Sequence, residues 1–316
     1  MVITNMIVAA ATPPLLVIAG ATASGKTKLA IAIAQRFDAE IISADSLQVY
    51  RHLNIGTAKP TLEEQKMARH HLIDCLEIDE DFSAARYASL AAQAIMDITA
   101  RRKRIIVAGG AGLYIKALLY GLADVPAAES QRQHYRLLAK RFGTPYLHEL
   151  LSAKDAAAAG KITPNDLPRI VRALESIEIT GKSIVGIHAL HRFAQPQYPA
   201  LVLGIALPPE ELFTKIEQRV EKMLQDGLLA ETNAILARGY SPELKPLRAV
   251  GYKQIIAHLQ GEISLAAAGE AIKRETKRYA KRQLNWFKTQ QPLKWIAATD
   301  KEAFFASAAA LWEKEP

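Results

Sequence analysis

The chain contains one cysteine, Cys75, in 316 residues. This excludes an internal disulfide and any metal cluster built on cysteine, and it fits a reducing, cytoplasmic setting. No run reaches the roughly 18 consecutive apolar residues of a membrane span, so no membrane partner is expected. The opening MVITNMIVAAATPP is apolar. It lacks the basic start of a secretory leader, and Pro13-Pro14 interrupts it, so residues 1–14 read as an N-terminal extension. Acidic residues are the minority: 32 Asp and Glu stand against 40 Lys and Arg, a formal charge of +8. That balance favours a polyanionic partner. Half of the residues are hydrophobic, enough for one large or two modest domains with a buried core. No internal repeat is visible.

What is present is organised around Gly20-Ala21-Thr22-Ala23-Ser24-Gly25-Lys26-Thr27. An apolar run, Leu15 to Ala19, precedes it, and a helical pattern, Lys28 to Phe37, follows. Strand, glycine loop and helix with the spacing G-x-x-x-x-G-K-T form a phosphate cradle. Loop N–H groups and the helix N-terminus point at anionic oxygens. Lys26 adds a point charge, and the Thr27 hydroxyl suits a magnesium ion. The motif specifies phosphate without specifying a nucleotide.

The run Ala39 to Ala44 is a short buried strand ending at Asp45. Strand, helix and strand at this spacing imply a right-handed crossover and a parallel sheet. Residues just past the strand ends gather at the ligand edge of such a sheet, so Asp45 should face the cradle. Residues 46–60 are turn-rich and polar and read as a loop over the site. A short helix is expected over 62–69, a strand end at 72–74, and a helix over 82–100 with Ser83 as its cap. Residues 104–108 form the next strand, running into Gly109-Gly110-Ala111-Gly112 and a helix over 113–119. The texture then changes. From 122 to 198 the chain is polar and helical, an all-helical insertion. The α/β texture resumes with a strand at 200–206 and helices over 209–225, 228–238 and 251–259. A long helix over 265–289 sets Ile272, Tyr279 and Trp286 seven apart on one face. Lys273, Arg274, Lys277, Arg278, Lys281 and Arg282 lie opposite, with only Glu275 among them to offset the charge. A broad basic face of this kind suits a nucleic-acid backbone, or is simply solvated. The division is thus a discontinuous catalytic core over 15–121 and 199–291, the insertion, and a tail over 292–316 with one strand and a terminal helix.

A P-loop enzyme that turns over a nucleotide generally places a second acid at the end of a later apolar strand, where it binds magnesium. Here that strand ends in Gly109-Gly110, and the available acid is Asp45. The gap weakens a plain nucleotide hydrolase. A small-metabolite kinase with its acid after the second strand remains an alternative, as does a non-catalytic RNA-binding protein. Adjacent His70 and His71 on an extended strand point to opposite faces, which suits packing or hydrogen bonding better than a shared metal.

Seven stretches together resemble the bacterial tRNA dimethylallyltransferases (tRNA isopentenyltransferases). They are GATASGKT from Gly20, DSLQVYRHLNIGTAKPT from Asp45, HHLID from His70, GGAGLYIKALLYGL from Gly109, PRIVRALE from Pro168 with TGKS at Thr180, RAVGYKQ from Arg248, and YAKRQLNWF from Tyr279. They follow the family's order from about residue 15 to 290. The resemblance implies a P-loop NTPase-like parallel sheet flanked by helices, with the helical insertion as a tRNA-binding domain. It implies transfer of a dimethylallyl group from dimethylallyl diphosphate to the exocyclic amine of adenosine at tRNA position 37, beside the anticodon. The nucleotide-binding (ATP-binding) type of loop would then seat a diphosphate leaving group, with Mg2+ as cofactor and a cytoplasmic monomer as the working form.

The implied catalytic residues are Asp45, Thr27 and Arg219, with Thr27 and Asp45 toward the metal. Asp45 would accept the amine proton, with Ser46 and Gln48 at the adenine edge. The implied tRNA contacts are Asp45, Ser46, Leu47 and Gln48; Ala111; Arg132; Pro168, Arg169, Ile170, Val171 and Arg172; Arg248, Ala249, Val250, Gly251, Tyr252 and Lys253; and Arg278 with Arg282. Sequence alone leaves Arg219 open between a diphosphate ligand and a surface arginine paired with Glu217 or Glu221. The chain departs from the family pattern in places. Ala111 replaces a threonine that contacts tRNA, Gln133 stands where an arginine is usual, with Arg132 beside it, Lys277 and Asn285 are substituted in the C-terminal motif, and Lys215 stands where a second helix arginine is common.

Overall fold

The strands of this chain are short apolar runs, and their order along the sheet decides where the loops between them converge. A computed structural model describes residues 12–123, 128–191, 195–290 and 292–313. In chain order the first unit contains β1 (Leu15–Ala19), α1 (Lys26–Phe37), β2 (Ala39–Ala44), α2 (Leu62–Met67), β3 (His70–His71), α3 (Ala84–Ala100), β4 (Arg104–Gly109) and α4 (Gly112–Tyr120). It resumes with β5 (Ala200–Ala206), α10 (Pro209–Gln225), α11 (Leu228–Ala237), α12 (Tyr252–Leu259), α13 (Leu265–Lys288), β6 (Lys294–Ala297) and α14 (Lys301–Trp312). Between them lie α5 (Glu129–Phe142), α6 (Thr144–Lys154), α7 (Ala156–Ala159), α8 (Leu167–Thr180) and α9 (Ile184–His191). The two compact units are residues 1–119 with 196–316, and residues 120–195.

The sheet of the first unit has six strands in the order β3-β2-β4-β1-β5-β6, and every pairing is parallel. This is the P-loop NTPase-like sheet that the motifs imply. Parallel strands need both faces covered, and the residues are distributed accordingly. Leu16, Ile18, Ile41, Ile106, Leu203 and Ile205 point into one core with Ile33, Phe304 and Trp312. The alternate residues Leu15, Val17, Ile42, Ile105 and Val107 are equally buried. Because β1 lies between β4 and β5, the loops after β1 and β4 leave the sheet side by side. Leu119 O accepts from Gln197 N at 2.7 Å, which closes the point where the chain departs and returns.

Two boundaries differ from the sequence reading. The strand expected at 72–74 is instead the two-residue β3, because Leu72 and Asp74 take positive φ of 60° and 54° and turn the chain away. The segment set apart as a tail is built into the sheet: β6 pairs with β5. Phe304, Ala308 and Trp312 of α14 are buried in the same core as α1. Burying one such large side chain stabilises by about 1.5–3 kcal/mol.

The second unit has a core of its own, with Tyr135, Leu147, Leu151, Ile170 and Leu174 fully or nearly fully buried. On α8 the buried set Ile170, Val171 and Leu174 recurs at helical spacing. Asp166 caps this helix through Arg169 N, and Gly181 ends it in the left-handed conformation with φ 66°.

Candidate active site

The loop from Gly20 to Thr27 curls back on itself before α1 begins. Ala23 and Gly25 take positive φ of 65° and 92°, a bend that turns successive N–H groups inward. Lys26 Nζ donates to Ala21 O at 2.6 Å and so folds over the loop. Gln283 on α13 fixes the loop from outside: its Oε1 accepts from Thr22 N at 2.8 Å, and its Nε2 donates to Gly110 O at 3.0 Å. One amide thereby ties the turn after β1 to the turn after β4. A Cβ at position 110 would lie 2.2 Å from Gln283 Nε2 and would displace this amide.

A cavity of about 900 Å³ opens beside this loop, lined by Thr22, Lys26, Thr27, Asp45, Gln48, Arg219 and Tyr279 among others. Asp45 follows β2, two strands from β1. Its Oδ1 accepts from Leu47 N at 2.8 Å and Gln48 N at 3.2 Å, which fixes the carboxylate. Among the described residues Oδ2 makes no hydrogen bond. Gln48 uses its amide locally: Oε1 accepts from Ser43 Oγ at 3.1 Å, and Nε2 donates to Thr57 O and Ala58 O at 3.3 Å each. It therefore holds the 57–58 stretch to the strand end. Ser46 and Leu47 are half-buried beside it.

Arg219 does not take the glutamate partners its helix offers. Glu217 and Glu221 lie toward α13, where Lys277 and Lys273 bond them. Arg219 turns the other way and donates from a guanidinium nitrogen to Thr22 Oγ1 at 3.3 Å. Desolvation, then the charge of Arg219, push the Lys26 ammonium down from its ordinary 10.5 to about 7, against the pull of Asp45. Burial also lowers Arg219, while Asp45 and then Glu64 raise it. The Tyr279 hydroxyl is pushed up to about 12, first by burial and then by the Asp45 charge. Lys26 and Arg219 are therefore crowded cations within electrostatic reach of each other and of the Asp45 carboxylate. Among the described residues neither Lys26 nor Arg219 makes an ion pair. An anion entering here relieves the repulsion between them.

Thr27 and Asp45 both line the cavity. No cluster of three acidic, histidine or cysteine side chains suited to a metal occurs among the described residues. That donor set fits magnesium, which is characteristically held by one or two protein oxygens, substrate phosphates and water. The histidines are engaged elsewhere: His71 Nε2 bonds Glu40 Oε2 at 2.6 Å, and His70 Nδ1 bonds Ala68 O at 2.8 Å.

The residues assigned to tRNA contact fall into three groups. Pro168, Arg169, Arg248, Lys253, Arg278 and Arg282 are exposed, while Ala111, Ala249 and Val250 are half-buried. Ile170, Val171 and Tyr252 are turned inward, so their side chains are corrected to core positions. They belong to motif stretches whose helices need them for packing, and Gly251, at φ 105°, starts α12. Arg132 and Arg172 form a third group: they meet the fully buried Glu175 at 2.9 and 2.5 Å. Lys253 pairs with Glu275 at 2.6 Å.

The basic face of α13 is also less bare than its sequence. Lys273 and Lys277 are compensated by α10, whereas Arg274, Arg278, Lys281 and Arg282 make no ion pair among the described residues. The buried seam is Ala268, Ile272, Ala280, Gln283 and Phe287, with Tyr279 rotated off it toward the cavity. Sequence reasoning missed Gln283. Its signal was a polar side chain on the apolar stripe, three residues after Ala280 and four before Phe287.

The profile of the IPP transferase family matches residues 48–290. A tRNA dimethylallyltransferase 2 of Syntrophus aciditrophicus is 46% identical over 291 residues, covering 92% of this chain and 94% of that protein. A second, from Geotalea daltonii, is 46% identical over 88% of this chain and 86% of its own. The crystal structure of the full-length tRNA isopentenylpyrophosphate transferase of Bacillus halodurans superposes with a TM-score of 0.71 at 35% identity, covering 95% and 97% of the two chains. A eukaryotic dimethylallyltransferase acting on tRNA gives 0.78 at 28% identity over 95% of this chain and 78% of that one. The loop, the strand-end carboxylate and the inward arginine thus sit in a chain that belongs to the IPP transferase family.

Proposed function

We propose that the chain transfers a dimethylallyl group from dimethylallyl diphosphate to the exocyclic amine of adenosine at tRNA position 37, releasing diphosphate. One observation carries this reading: Asp45 shares a cavity with Lys26 and Arg219, two cations that no carboxylate bonds among the described residues. A bond forms between the amine nitrogen and the allylic carbon, and the carbon–oxygen bond to diphosphate breaks. Negative charge develops on the leaving oxygens, where Lys26, Arg219 and the N–H groups of the Gly20–Thr27 loop stabilise it. The adenine amine is a weak nucleophile because its lone pair is delocalised into the ring. Its proton must depart as it attacks, and the Asp45 carboxylate takes it, held in orientation by Leu47 N and Gln48 N.

Thr27 and Asp45 would hold Mg2+, which when bound would neutralise part of the diphosphate charge. The adenine enters by leaving its stack, and the uncompensated cations Arg278 and Arg282 of α13 offer a surface to the anticodon stem-loop backbone. The working form proposed is a cytoplasmic monomer, in keeping with the single cysteine. A small-metabolite kinase is disfavoured because β4 ends at Gly109, followed by Gly110, rather than at an acid. Purified protein with magnesium, dimethylallyl diphosphate and unmodified tRNA should yield a prenylated adenosine by mass spectrometry. Unchanged tRNA alongside ATP turnover would overturn the assignment.

A further inference from the structure

One wall of the cavity is a stretch with almost no secondary structure of its own, residues 54–59. Its backbone is held from α11. Glu231 Oε2 accepts from Asn54 N at 3.1 Å and Ile55 N at 2.8 Å, and Oε1 accepts from Gly56 N at 3.1 Å. Oε1 also accepts the Tyr252 hydroxyl at 2.7 Å. Three consecutive N–H groups converging on one point make an anion-binding concavity, and here the anion is the protein's own carboxylate. Tyr252 is fully buried, and its ring packs on Gly56 so closely that a Cβ there would lie 2.5 Å from a ring carbon. At the far end Lys59 Nζ donates to Tyr50 O and Asn54 Oδ1, both at 2.8 Å.

We infer that Glu231 is a positioning residue, an internal anion that sets the 54–58 wall against the reacting groups without touching them. The inference rests on the reading of the cavity as the prenyl-transfer site. The wall brings Ile55 and Ala58 to the cavity that Lys26, Asp45 and Arg219 also line. It therefore shapes part of the apolar lining of the space where an isoprenoid chain and an adenine must meet. The cradle is held separately by Gln283, so the two walls are separable by mutation.

The test is Glu231→Ala, assayed for prenyl transfer and, independently, for binding of inorganic diphosphate with magnesium. We expect turnover to fall at least tenfold while diphosphate affinity stays within twofold of wild type. Added formate, small enough to sit on the three N–H groups, should restore part of the lost turnover and leave wild type unchanged. Tyr252→Phe keeps the ring and removes one of the four bonds, so it should fold and show a smaller loss of turnover in the same direction. Turnover within twofold of wild type in both variants would overturn the inference. So would a parallel loss of diphosphate affinity, or a loss that formate does not relieve, because either would make Glu231 a general support of the fold. A wild-type protein that binds no diphosphate would instead remove the site reading beneath it.

Discussion

In the helical unit, Arg132 and Arg172 converge on the buried Glu175 carboxylate, which also accepts from Ala128 N at 2.8 Å. In the cavity of the other unit, Lys26 and Arg219 crowd each other, and Asp45 acts on them only at longer range. Both places gather cations in partly buried surroundings. The first satisfies them internally: against burial, the Ala128 N–H bond and then the Arg172 and Arg132 guanidiniums hold the Glu175 carboxyl below its ordinary range. The second leaves them strained toward deprotonation. A cluster that is already neutralised supports a fold. One left short of negative charge is prepared for an anion that arrives from outside. The contrast separates arginines that look alike in sequence: Arg172 and Arg219 both lie on amphipathic helices, and both have a glutamate within three residues.

The largest expected effect breaks the reactive side of this contrast. Asp45→Ala should lower prenyl transfer by at least about a hundredfold, the ordinary scale for losing a general base, with tRNA affinity nearly kept. Normal turnover would remove Asp45 from the proton-accepting role. On the structural side, Glu175→Ala strips the shared partner from two arginines. It should destabilise the protein by roughly 2 kcal/mol, below the usual cost of breaking a buried pair because both guanidiniums reach solvent. An unchanged melting temperature would mean the cluster is no structural anchor.

The cations themselves can be titrated. Between about pH 7 and 10.5 the folded chain holds Lys26 less protonated than the unfolded chain. The penalty from this group is therefore full below about pH 7, and stability of the ligand-free protein rises with pH across that window. Diphosphate binds the charged ammonium, so its affinity should fall from pH 7 to 9 more steeply in wild type than in Lys26→Met. The comparison cancels the titration of diphosphate itself, and equal slopes would exclude Lys26 from the grip. The smallest effect concerns Ala111, whose carbonyl accepts from Tyr114 N and Ile115 N at the start of α4. It occupies the helix cap position without a capping side chain. Ala111→Thr should add about 1 kcal/mol of stability, and a neutral or destabilising result would show that the hydroxyl cannot reach the helix N–H groups.

Much of this was legible in the chain itself. Short apolar runs bounded by glycine loops located β1, β2, β4 and β5, and the rule that strand ends face the ligand edge put Asp45 at the cradle. Three things were not legible. The short β3 depends on positive φ at Leu72 and Asp74, which no hydrophobic pattern encodes. The membership of β6 in the sheet depends on long-range pairing with β5, and that of α14 in the core on packing against α1. The direction of Arg219 depends on which residues claim Glu217 and Glu221, and those are Lys277 and Lys273, more than 50 positions away. Local spacing offers an arginine its helix neighbours as partners; only packing of α10 on α13 shows that they are already taken.

The most direct test of the account is calorimetric titration of inorganic diphosphate, with magnesium, into wild type and Arg219→Met. A charge-assisted hydrogen bond is worth about 1.5–3 kcal/mol. Wild type should therefore bind, and the variant should bind more weakly by about tenfold or more, with the fold intact. Equal affinity in the two proteins would contradict the claim that this cavity keeps its cations for a diphosphate.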